Sequence, residues 1–133
     1  MADDGLITLR SSNDFATTLA RFLEFLADKR VTIFAQIDHA AGAAAAGLAL
    51  PPTTLVIFGN PTTGTPLMQV AQIAGIDLPL KALVWQAADG TVNLPYNAPA
   101  WIANRHGIGS TLDHAIEVLT TVITALARHA TSA

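Results

Sequence analysis

The stretch LVWQAADGTVNLPY, residues 83–96, decides how this chain folds. Apolar and β-branched residues flank Asp89-Gly90, a dipeptide favoured in two-residue type I′ turns, so the segment predicts a β-hairpin. A two-residue loop pairs Ala88 with Thr91. Ala87 then faces Val92, Trp85 faces Leu94 and Leu83 faces Tyr96. That register puts those apolar side chains on one face and leaves Val84, Gln86, Asn93 and Pro95 on the other.

The elements around the hairpin follow from period and punctuation. Thr54–Phe58 is a continuous apolar run and predicts a central strand covered on both faces or nearly so. Val31–Ile37 alternates and reads as a strand, and Gly5–Arg10 is a short extended run. Phe15, Leu19, Phe22, Leu23 and Leu26 form the stripe of an amphipathic helix, with cap oxygens offered by Ser11, Ser12 and Asn13 and with Asp14 in the first turn. Leu112, Ile116, Leu119, Ile123 and Leu126 form a second stripe, capped by Ser110. Its β-branched run Thr120–Thr124 prefers strand locally, but the long period decides for helix. Short helices are expected at Ala40–Leu48, Thr65–Ala74 and Ala98–Asn104. The order predicts one α+β domain over residues 1–133, with a mainly antiparallel sheet and two long helices on one face.

Composition narrows the function. Of 133 residues 51% are hydrophobic and 13% charged, with a net charge of −3. So little charge implies apolar surface that self-association would cover, and a homodimer is expected. The seven basic residues are scattered, which argues against nucleic acid or an anionic membrane as partner. The absence of cysteine removes thiol catalysis, disulfides and zinc–thiolate sites. The longest uncharged small-residue run, Ala40–Leu50, falls short of the roughly 20 residues a membrane span needs. With the acidic start Met1–Asp4, the reading is a soluble cytoplasmic protein.

Between Val31 and Asn104 the chain carries only four charges: Asp38, Asp77, Lys81 and Asp89. Asp89 belongs to the turn. The others lie in FAQIDH (34–39) and IDLPLK (76–81), with FGNPTTGTPLM (58–68) between them, and charges in apolar sequence need a partner or a use. Asp38–His39 reads either as a carboxylate that orients an imidazole for general-base work, or as a helix cap beside a packed histidine. Lys81 reads as a partner of Asp38, a desolvated amine, or a snorkelling side chain. FGNPTTGT has the glycine separation of a phosphate loop, but Thr65 and Pro66 stand where that loop needs Lys and Ser or Thr. A backbone anion site or a plain tight turn remains. The histidines His39, His106, His114 and His129 lack the spacing that puts two ligands on one helix face, so no metal is expected.

The strings IDH (37–39), FGNP (58–61), GT-LM (64–68) and LPLK (78–81), within a match from GLITLRS to YNAPAWIANRHG, resemble the bacterial and archaeal family known as domain of unknown function 302. The resemblance implies a β-α-β-β-β-β-α fold, similar in topology to one repeat of the TATA-binding protein, and a homodimer. It supplies no known reaction and leaves any cofactor unknown. Family members often carry a basic residue after FGNP. Thr62 stands there in this chain, which weakens the case for an anion in the loop.

Three functional expectations result. The leading one is a site for a small molecule or anion at one end of the sheet, formed by Asp38, His39, Asn60 and Lys81. The second is a non-catalytic homodimeric interaction module, with a two-fold contact through the sheet or beside Trp101. The third is an enzyme in which Asp38 orients His39 as general base.

Overall fold

The structure is a computed structural model that describes residues 4–133; the acidic start Met1–Asp3 lies outside them. Five strands, β1 (Leu6–Arg10), β2 (Thr32–Asp38), β3 (Thr53–Gly59), β4 (Leu80–Gln86) and β5 (Val92–Asn97), form one sheet in the order β1-β5-β4-β3-β2. Every neighbouring pair is antiparallel. The helices are α1 (Phe15–Asp28), α2 (His39–Ala45), α3 (Pro61–Val70), α4 (Pro99–Arg105) and α5 (Asp113–Thr131). The strand-and-helix order is the one expected from the sequence.

Strand alternation explains where the core sits. Thr54, Val56 and Phe58 of β3 are buried, as are Leu80, Ala82 and Val84 of β4. The long helices bury Phe22 and Leu26 of α1 and Leu119, Ile123 and Leu126 of α5 in the same core. Phe22 meets Phe58 edge to face, with ring centroids 5.5 Å apart and planes at 74°, the arrangement the ring quadrupoles favour. Leu55 and Ile57 point the other way and are only half-buried. The expectation that β3 is covered on both faces is therefore corrected: one face carries the helices and the other is open.

The hairpin corrects a second expectation. Trp85 pairs with Asn93 and Gln86 with Val92, one residue away from the register of a two-residue loop. The loop has three residues, Ala88, Asp89 and Gly90. The Gly90 N–H donates to the Ala87 carbonyl at 2.9 Å, and the Ala87 N–H donates to Thr91 at 2.7 Å. Gly90 has φ +92° while Asp89 stays out of the left-handed region, which is a type I turn closed by a glycine bulge. A one-residue slip exchanges faces. Val84 becomes core, and Leu83 and Trp85 move to the open face.

Helix ends also differ from their sequence reading. Asp14 itself caps α1, its Oδ1 accepting from the Thr17 N–H at 2.8 Å. Ser110 lies in a 3₁₀ turn, and α5 starts without a side-chain cap. Inside α5 the Thr120 hydroxyl donates to the Ile116 carbonyl at 2.8 Å, so the β-branched run finds its hydrogen bond within the helix. Trp101 is seated on the backbone of Gly5 and stands 5.7 Å from the Arg105 guanidinium.

Candidate functional site

β3 ends at Gly59, and Asn60 turns the chain straight into α3. The Asn60 Oδ1 accepts from the Thr62 N–H at 2.9 Å, and its backbone carbonyl accepts from the Thr63 hydroxyl at 2.9 Å. Pro61 takes the first helical position, where its missing N–H costs nothing and its φ is preset. The helix expected over Thr65–Ala74 therefore begins four residues earlier, at Pro61. Between α3, the end of β3 and the entry to β4 lies a cavity of about 170 Å³. Its walls are Phe34, Met68, Leu78, Leu80 and Leu119, and Asn60 and Thr63 bring polar atoms. Phe34 arrives there through a break in the β2–β3 register between Ile33 and Ala35, since a bulge re-aims the extra side chain. The strings FGNP, GTPLM and LPLK, separate in sequence, all contribute to this one cavity.

An ion cluster fixes the wall that leads into β4. Asp77, directly before Leu78-Pro79, accepts from His106 Nε2 at 2.5 Å and from Arg105 NH1 at 2.9 and 3.0 Å. The His106 and Asp77 side chains are only 6% and 13% exposed, against 50% for Arg105. Burial alone would raise the Asp77 carboxyl, but the hydrogen bonds from His106 and Arg105, with their charge, hold it below its ordinary value. Sequence reasoning gave Asp77 no partner and missed both of these. They lie 28 and 29 positions downstream, a separation that no local pattern marks.

The four residues expected to form one site are separated by the register. Asp38 ends β2 opposite Thr54, while Lys81 stands opposite Ile57, three residues further along β3. Three residues of strand span roughly 10 Å and reverse the face. Asp38 is the N-cap of α2, its Oδ1 accepting from the Ala41 N–H at 2.9 Å. His39 is exposed, and among the described residues no hydrogen bond joins it to Asp38. Lys81 is half-buried on the open face and makes no ion pair among the described residues. Asn60 alone of the four lines the cavity. The expectation of one shared cleft is corrected accordingly. Among the described residues no group of three or more His, Asp or Glu is placed to hold a metal ion.

Comparison with known proteins agrees with this architecture. The crystal structure of the uncharacterized conserved protein DUF302 from Bacillus stearothermophilus superposes with a TM-score of 0.82, over 96% of this chain and 98% of that one, at 18% identity. That likeness is one of fold. The protein named fluoride-specific ion channel FluC 1 of Brucella suis biovar 1 (strain 1330) is 45% identical over 119 residues, which are 90% of this chain and 47% of that protein. Its namesake in Brucella abortus biovar 1 (strain 9-941) is also 45% identical, with 44% of its length covered. The chain thus spans about half the length of the curated relatives it matches. Among the described residues no helix is long and apolar enough to cross a membrane. The model of the family described as domain of unknown function DUF302 matches residues 7–126, and the chain belongs to that family.

Proposed function

We propose that this protein is a small-ligand-binding module whose site is the cavity at the end of β3, around Asn60. The observation that carries the reading is the convergence of three distant sequence strings on one apolar cavity with a few polar groups at its edge, the usual build of a ligand pocket. Asp38, His39 and Lys81 fall outside it, so the reading rests on Asn60 and the apolar walls. A thermal-shift screen of small molecules on the native chain and on Gly64→Leu tests it. Gly64 lines the cavity and has open space where a Cβ would stand. Compounds that raise Tm in the native chain and lose the effect in the variant support the reading. An absence of hits, or hits indifferent to Gly64→Leu, contradicts it.

A second reading is supported by the open face of the sheet. Leu55, Ile57, Leu83 and Trp85 lie half-buried there beside Lys81, and a second copy of the chain would cover them in a homodimer. Sedimentation at micromolar concentration separates the readings, because a monomer near 13.9 kDa leaves only the ligand module.

A further inference from the structure

The cavity under α3 is not isolated. A second cavity of about 340 Å³ lies against α5, and the two share Gly59, Asn60, Thr63, Leu80 and Leu119. They adjoin over the end of β3 through these shared residues, and together fall within the ~300–1,000 Å³ common for small-ligand sites. The second is walled by Phe25, Val31, Val118 and Val122, and among the described residues Lys29 is the single charged one in either lining. Lys29 closes α1, and its Nζ stands 5.2 Å from the Phe25 ring centroid.

An apolar trough with one cation at its rim suits a particular chemistry. A neutral apolar molecule would leave the ammonium unused, and a small inorganic anion would leave the walls unused. We infer that the groove takes an amphipathic carboxylate, its apolar body between Met68 and Leu119 and its carboxylate at Lys29. This rests on the ligand-binding reading above and names the ligand class for that site. Lys29 is exposed, so its pairing supplies selectivity rather than most of the affinity, and that selectivity is screened by salt.

The test is calorimetric titration of the full chain at low ionic strength with octanoate, octanol and inorganic phosphate. Octanoate is expected to bind about 5-fold tighter than octanol, the upper range for an exposed ion pair, with no heat from phosphate. In Lys29→Met, octanoate and octanol bind alike, and 0.5 M salt brings the native chain to the same point. Equal binding by the native chain, or a preference that survives Lys29→Met, overturns the carboxylate assignment and leaves the ligand-binding site standing. Phosphate binding as tight as octanoate also overturns it. Binding of neither octanoate nor octanol overturns the assignment and counts against the site itself.

Discussion

His106 donates to Asp77 across 29 positions of sequence, Nε2 to Oδ2 at 2.5 Å, with both side chains largely out of water. An ionised carboxylate can only accept, so Nε2 carries the proton. The bond ties the end of α4 to the segment that enters β4, and the next two residues, Leu78 and Pro79, wall the cavity. A tertiary ion cluster and a candidate site are thus parts of one local structure.

The cluster has a pH signature. Because Asp77 is held below its ordinary value in the folded protein, its contribution to stability is present above about pH 4 and is lost as pH falls through the folded value. Asp77→Asn should cost about 1–3 kcal/mol at pH 7, the range for a buried polar group left poorly satisfied. Urea unfolding at pH 7 and pH 3 checks this, with the gap between native chain and variant narrowing at the lower pH. An equal gap at both would contradict it.

Gly64 sits inside α3, where an added Cβ would meet nothing within 4 Å beyond its chain neighbours and the backbone of the helix itself. Gly64→Ala should therefore stabilise the protein by about 0.5–1 kcal/mol through helix propensity. A loss in Tm would mean that the backbone of α3 needs glycine there.

Gly5 presents the opposite case. It has φ +74°, and an added Cβ would stand 2.2 Å from Trp101 Cγ. Gly5→Ala forces Trp101 or the start of β1 to move, so a loss of at least about 1–3 kcal/mol is expected, with a changed tryptophan emission. Unaltered emission and stability would contradict the seating of Trp101 on Gly5.

Asp38 distinguishes cap from site. Asp38→Ala should cost about 0.5–2 kcal/mol through loss of the α2 cap, with the affinity of any cavity ligand unchanged. A drop in affinity at unchanged stability would return Asp38 to the site.

Much of the fold was legible because its cues are local. The stripes of α1 and α5 and the Asp89-Gly90 turn marked the elements, and their order implied an antiparallel sheet under two helices. The hairpin register was not legible. Two- and three-residue loops both accept Asp89-Gly90, and Leu83 or Val84 fills a core position equally well, so packing chose. The site was half legible. The strings around Asn60 and Leu78 announced a place, whereas assigning Asp38 and Lys81 to it required knowing which rung of β3 each residue meets. Asp77 stood out as a charge in apolar sequence, but nothing marked Arg105 and His106 as its partners, because their pairing exists only after α4 has docked.

The most direct measurement uses Met68. The chain has two methionines, and Met68 lines the cavity while Met1 lies outside the described residues. In protein labelled with ¹³C at the methionine methyl groups, a compound that raises Tm should shift the Met68 signal in proportion to occupancy. Stabilising compounds that leave the Met68 signal unmoved would contradict the assignment of the β3-end cavity as the binding site.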